Sequence, residues 1–410
     1  MPVLSLRPLV VQAIFAATVA VASLAACTPA EELPAAAAAP VTPLPTGHGV
    51  GRSELAWTDA SRSDADTPSG KRELRGWLYY PTAQAPAIGG VALDGAWAEA
   101  YRPSLERRLG VAAAKAVLAT RWHASDAPAA PGRFPVLVFA HGYHQLPTNY
   151  SALLEGLASR GYDVLAIASP GIAEVVPIAG NRMAPNLPLD DRSYDTMAKD
   201  IASAIGELPT LDASTGSAYA GHLDLDRVGV FGHSVGGAAA VLASARLPQL
   251  RAAANLDGDY AGASAVEQPR VPLLYVTSQP PDRPAQPKSD WDTERNEVRR
   301  DRLWRHLASR SPRALRVRVG GMFHANFQDS ALLSASAMPR KLRENRYGSI
   351  DGARGLDLTV RLLAAFFAET LGGTSKDGVQ AVVRQFPEAD VQVLTRVLDR
   401  SKPGSKPGSE

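Results

Sequence analysis

Apolar and polar positions along this chain change period several times, and each change marks an element. From Arg72 to Tyr80, Leu74, Gly76, Leu78 and Tyr80 alternate with Arg75, Trp77 and Tyr79, the period-two pattern of a strand with two unlike faces. Ser53 to Thr58 is its expected antiparallel partner. Beyond it, short apolar runs alternate with helix-forming stretches. Phe134 to Ala140 reads as a strand, Tyr150 to Arg160 as a helix and Tyr162 to Ala168 as another strand. Asp195 to Leu208 puts Met197, Ile201, Ile205 and Leu208 on one helical face, and Arg227 to Phe231 is again a strand. Ala252 to Leu256, Val271 to Thr277 and Leu315 to Val319 supply three more, and Leu356 to Leu371 is an apolar closing helix. Strands that alternate with helices pair in parallel and are covered on both faces, so the predicted class is α/β with a mostly parallel sheet. In such sheets ligands bind beyond the carboxyl ends of the strands.

Some stretches fit this rhythm less well. Gly171 to Asp226 is long for one crossover and Pro-rich in its first half, which suits a lid within 171–226. Residues 84–130, with a helical pattern from Leu105 to Leu118, suit a roof or an extra packing layer. Trp291 to Arg310 is a polar helix with Val298, Leu303, Trp304 and Leu307 on one side, expected to pack that stripe on the sheet rather than lie on a lipid surface.

The ends follow different rules. Arg7 precedes an apolar run from Leu9 to Leu24, and Leu24-Ala25-Ala26-Cys27 follows. The run is short for a spanning helix and reads as a secretory signal over residues 1–26. Its end resembles the lipobox of bacterial lipoproteins, which implies lipidation of Cys27, the only cysteine in the chain. Thr28 after it is similar to lipoproteins sorted to an outer membrane, so an anchored envelope protein is expected, with a secreted one as the alternative. Residues 27–50 read as an Ala/Pro-rich tether and 401–410 as a tail without packing residues. Between them we expect one domain over 51–372 and a helical extension over 373–400.

Composition narrows the chemistry. With 410 residues and 45% hydrophobic content, the chain has enough material for one large core. Its 43 basic and 41 acidic side chains leave a net charge of +2, which argues against a nucleic-acid partner. His141, His144 and His233 lack metal-binding spacing, and no metal or other cofactor is required.

The chemical signal is Gly232-His233-Ser234-Val235-Gly236, set between the Val228–Phe231 strand and a small-residue helix. This is the pattern of a nucleophile elbow, whose sharp turn leaves almost no room for side chains two positions either side of the serine. A serine nucleophile needs a base, a group that orients the base, and donors for an oxyanion. His306 and His324 lie downstream; His324 is favoured, because it sits in a Gly-shaped loop just past a strand, whereas His306 belongs to a polar helix. For the acid, Asp257 and Asp282 are nearly even on spacing, and Asp259 suits a turn. The expected oxyanion donors are the backbone N–H groups of Val235, at the start of a helix, and Tyr143, after the His141-Gly142 turn.

Four blocks resemble the platelet-activating factor acetylhydrolases of the plasma and intracellular type II kind, within the α/β-hydrolase superfamily. They are Leu78-Tyr79-Tyr80-Pro81; Phe139-Ala140-His141-Gly142 with Tyr150-Ser151-Ala152 and Leu157–Gly161; Gly232–Ala238; and His324-Ala325-Asn326-Phe327-Gln328-Asp329. Val235 departs from the aromatic residue common in that family. The resemblance implies an α/β-hydrolase fold and selects Asp257, in Leu256-Asp257, as the acid beside Ser234 and His324. It also implies calcium-independent hydrolysis of short acyl groups from phospholipids. The function expected is therefore that of a serine ester hydrolase acting on small or lipid esters. A dienelactone-hydrolase-like or polyester hydrolase, and a non-catalytic envelope-binding lipoprotein on the same scaffold, are the alternatives.

Overall fold

Strands with apolar residues at successive positions have two faces to bury, and the central strands of this chain bury both. The computed structural model describes residues 47–85, 90–120, 124–125, 127–279, 290–333, 337–372 and 377–395. Cys27, the apolar run before it, Asp282 and the 401–410 tail lie outside them. β1 (Gly49–Ser63) and β2 (Lys71–Thr82) come first, then α1 (Gly95–Leu109), α2 (Val111–Ala119) and the two-residue β3 (Ala124–Ser125). β4 (Phe134–Ala140), α3 (Ser151–Ala158) and β5 (Asp163–Ala168) form the first parallel unit. A small hairpin, β6 (Pro177–Ile178) with β7 (Arg182–Met183), leads into α4 (Asp191–Asp212). β8 (Leu223–His233), α5 (Val235–Arg246), β9 (Leu250–Leu256), β10 (Leu273–Gln279), α6 (Asp290–Ala308) and β11 (Arg313–Gly320) follow. The described chain closes with α7 (Arg340–Tyr347), α8 (Gly352–Phe367), α9 (Gly378–Val383) and β12 (Ala389–Thr395).

The large sheet has the order β12-β11-β10-β9-β8-β4-β5-β2-β1-β3. From β11 to β5 every pairing is parallel, whereas β12, β2 and β1 pair antiparallel with their inner neighbours. Along β4 the period-two alternation sends Leu137 and Phe139 into one apolar cluster with α3 and α8, and Val136, Val138 and Ala140 into the other with α4 and α5. The side on which successive strands are added switches at β4, because β5 lies on one side of it and β8 to β11 on the other. The crevice between β4 and β8 is thus the topological switch point where such folds bind ligands.

Three expectations change. Among the described residues of the predicted helical extension over 373–400, the short α9 is the one helix, and Ala389–Thr395 is strand β12, which pairs with β11 from Arg313↔Thr395 to Val319↔Ala389. That stretch extends the catalytic domain's own sheet. The Leu105–Leu118 pattern splits into α1 and α2 at Gly110, whose φ of +84° turns the chain between them. Within 171–226, α4 packs Met197, Ile201, Ile205 and Leu208 on the sheet as a crossover helix, leaving only the β6–β7 hairpin and residues 184–190 beside the crevice. α6 buries Trp304 and Leu307 as expected, while Val298 is exposed. No described helix is long and apolar enough to cross a membrane.

Candidate active site

The turn from β8 to α5 needs backbone room on both sides of its apex. A Cβ on Gly232 would lie 2.4 Å from the Gly236 backbone, and one on Gly236 would lie 2.2 Å from the Ala140 carbonyl oxygen. Ser234 at the apex has φ 56° and ψ −128°, a conformation that costs a non-glycine residue about 1–3 kcal/mol. Backbone bonds hold it there: its N–H donates to Leu256 O at 2.9 Å, and its carbonyl accepts from Gly237 (3.0 Å) and Ala238 (3.2 Å). The Ser234 hydroxyl stands at the cap position of α5 yet does not cap it.

Asp257 follows β9 and is also held at positive φ, 54°. Its N–H donates to Val276 O at 2.8 Å. The buried carboxylate accepts from Ser278 N–H on Oδ1 (3.0 Å), and from Ser278 Oγ–H (2.6 Å) and His324 Nδ1 (2.8 Å) on Oδ2. Arg300, on α6, is bound to Asp259 and stands 3.7 Å from the same carboxylate. With Nδ1 donating to Asp257, a neutral His324 keeps its lone pair on Nε2, the form that accepts a proton. The His324 side chain is 52% exposed and Asp257 1%. No hydrogen bond joins Ser234 Oγ to His324 among the described residues; such contacts tighten when substrate binds.

The loop after β4 lies against the elbow. A Cβ on Gly142 would lie 3.3 Å from Ser234 Cβ, so glycine lets this backbone approach the serine. The N–H groups of Tyr143 and Val235 have no acceptor among the described residues, leaving both free for a ligand oxygen. Buried His141 braces the loop: Nε2 accepts from Ser169 N–H at 3.1 Å and Nδ1 lies 2.7 Å from Gly142 O. Burial pushes this imidazole down to about 4, so it stays neutral at ordinary pH. His144 N–H donates to Ile172 O at 2.9 Å, and the Tyr143 hydroxyl donates to Leu187 O at 2.9 Å.

The block beginning at His324 divides its work among its members. Asn326 Nδ2 donates to Tyr347 O at 3.0 Å, and the Phe327 ring packs 5.2 Å from the His233 ring. Asp329 accepts from the N–H groups of Ser151 (2.8 Å) and Ala152 (3.0 Å), tying the His324 loop to the first turn of α3. Burial pushes the Asp329 carboxyl up to about 7 against the pull of those two donors.

Of the residues singled out by sequence, Ser234, Asp257, His324, Tyr143 and Val235 come together at the carboxyl edge of β4, β8 and β9. His306 lies on α6, where its carbonyl accepts from Gln268 at 2.8 Å, away from this edge. Asp282 and Cys27 fall outside the described residues. Sequence reasoning missed Ser278, which holds Asp257, and Asn255, whose side chain clamps Gly258 by bonds of 2.7 and 3.0 Å. Neither stands in a recognisable local pattern. Among the described residues, no three His, Cys, Asp or Glu side chains form a metal-binding group.

A sequence model described as the alpha/beta hydrolase family matches residues 137–397, a segment that contains the elbow, Asp257 and His324. The chain belongs to the alpha/beta hydrolase family. Residues 99–169 of this hydrolase also match the family described as platelet-activating factor acetylhydrolase, isoform II. That match takes in the loop after β4 and stops before the elbow. Among solved structures, the hydrolase is similar to a ferulic acid esterase from Streptomyces cinnamoneus, with a TM-score of 0.65 and 26% identity over 87% of this chain and 98% of that one. Fold, family and neighbour together assign it to the carboxylic ester hydrolases.

Proposed function

We propose that this hydrolase cleaves carboxylic esters through a covalent acyl-enzyme, with Ser234 as nucleophile, His324 as general base and acid, and Asp257 as the group that orients the imidazole. The observation that carries this reading is the 2.8 Å bond from His324 Nδ1 to Asp257 beside a strained, uncapped Ser234. His324 Nε2 takes the Ser234 proton as Oγ attacks the ester carbonyl carbon. The resulting oxyanion accepts hydrogen bonds from the N–H groups of Val235 and Tyr143. As the tetrahedral intermediate collapses, the C–O bond to the alcohol breaks and His324 returns the proton to the leaving oxygen. Water, deprotonated by the same imidazole, then attacks the acyl-enzyme and releases the acid.

The substrate class we propose is short-chain acyl esters or the acyl groups of phospholipids. The Tyr143 hydroxyl, next to the loop that approaches Ser234, holds the carbonyl of exposed Leu187, a side chain that suits apolar substrate groups. A second reading, esters of ferulic acid, is favoured by the likeness to the ferulic acid esterase, which spans nearly all of that chain. Rates on p-nitrophenyl esters of increasing acyl length, on phospholipids and on methyl ferulate separate the two. The first reading expects the rate to fall as the acyl chain lengthens, with Ser234→Ala inactive on every substrate. A methyl ferulate rate above that of every short acyl ester supports the second reading, and a Ser234→Ala variant that keeps most activity overturns both.

We also propose that Cys27 carries a lipid anchor, on the strength of the Leu24–Cys27 sequence. Cys27→Ser should move the protein from the membrane to the soluble fraction of cells.

A further inference from the structure

Gly142, Tyr150, His233 and the backbone of His324 form one hydrogen-bonded line behind the site. Gly142 N–H meets Tyr150 Oη at 3.2 Å, Tyr150 Oη meets His233 Nδ1 at 2.8 Å, and His233 Nε2 meets His324 O at 2.9 Å. Donor and acceptor inventory fixes the direction of every bond. The His324 carbonyl can only accept, so His233 Nε2 carries a hydrogen. In a neutral imidazole Nδ1 then holds the lone pair and accepts from the Tyr150 hydroxyl, whose oxygen accepts from Gly142 N–H. A second proton on His233 would set Nδ1–H and Gly142 N–H both against Tyr150 Oη and strand the tyrosine hydrogen.

The surroundings favour the neutral form. His233 is 1% exposed, and its ring stacks 4.5 Å from that of His324. Burial first, and the neighbouring His324 second, push the His233 imidazole well below its ordinary value. Burial likewise pushes the Tyr150 phenol up, keeping it a hydroxyl. His233, Tyr150 and the elbow converge on Gly142: a Cβ there would meet His233 Nδ1 and Tyr150 Oη, each at 3.1 Å, as well as Ser234.

We infer that Tyr150 and His233 are positioning residues, and that a neutral His233 protonated on Nε2 locks the Tyr143 loop, the elbow and the His324 loop into a single unit. The inference rests on the reading of Ser234 and His324 as nucleophile and base. Pinning Gly142 N–H backwards leaves the next N–H, that of Tyr143, for the ester oxygen. Holding His324 by its carbonyl fixes the main chain that carries the base. His233 presents a neutral face to a ring that becomes an imidazolium during the reaction, where a second cation would repel it.

The test compares Tyr150→Phe, His233→Leu, His233→Gln and Ser234→Ala in the full chain. Tyr150→Phe removes one oxygen and should lower kcat about tenfold to a hundredfold with KM within about twofold. His233→Leu should fall at least as far, and His233→Gln, which supplies a donor and an acceptor but no titratable ring, should recover most of that loss. Nitrogen-15 spectra of the wild-type histidine rings should show His233 as the Nε2–H tautomer at neutral pH, and Tyr150→Phe should change that signal. Wild-type kcat in Tyr150→Phe, or an Nδ1–H or doubly protonated His233 in the wild-type protein, overturns the inference. An active Ser234→Ala variant instead overturns the functional reading beneath it, while the ring spectra still judge the network.

Discussion

Two His–Asp pairs sit at opposite ends of the parallel strands of the same sheet. His324 and Asp257 meet at 2.8 Å beyond the carboxyl ends, and His222 and Asp163 meet at 3.0 Å at the amino ends of β8 and β5. Bond length does not distinguish them; the remaining nitrogen does. His222 Nε2 donates to Ala130 O at 2.9 Å, its ring packs 4.8 Å from that of Phe134, and both partners are buried, at 4% and 0% exposed. His324 has a buried acid but is itself half exposed, and its Nε2 has no acceptor or donor among the described residues. A histidine with both nitrogens filled is a fastener. One held by a single nitrogen can carry a proton.

Matched substitutions break this comparison most sharply. Asp257→Asn should lower kcat by about 10⁴-fold, because the amide leaves the imidazole in the wrong tautomer and orientation. Asp163→Asn should leave kcat of the folded protein near wild type. Steady-state kinetics on both variants checks this, and equal losses would mean that the two pairs are not functionally distinct.

In stability the ranking should invert. Removing one partner of a buried ion pair costs about 3–5 kcal/mol, so Asp163→Asn should shift the urea midpoint well below that of Asp257→Asn. A smaller effect concerns pH. Burial works against the His222 charge, but the Asp163 carboxylate and the Ala130 carbonyl outweigh it and raise its pKa. A raised folded-state pKa contributes stability that is complete below the unfolded value, about 6.5, and is lost as pH rises through the folded value. Unfolding free energy should therefore decline as pH rises above the unfolded value, and His222→Gln should remove that component of the slope.

The central strands were legible because parallel strands buried on both faces must be apolar at nearly every position. Strand β12 was not. Val379, Val382 and Val383 already suggest a helix, and β12 is an edge strand that half-buries Val391 while leaving Val393 exposed. At the site, the elbow could be read because its geometry demands glycine at 232 and 236. Asp257 needed family resemblance to separate it from Asp282, since both follow strands. Ser278, Tyr150 and His233 were illegible in their roles for one shared reason. Each acts through hydrogen bonds fixed by the fold: Ser278 to Asp257 across 21 positions, and Tyr150 to His233 across 83. Periodicity carries no trace of such pairings.

The most direct test of the central claim is covalent labelling with a fluorophosphonate, followed by peptide mass mapping of the wild-type protein and of Ser234→Ala. The account predicts one stoichiometric adduct on Ser234 and none in the variant. An adduct on another residue, or an unlabelled protein that still hydrolyses esters, would contradict it.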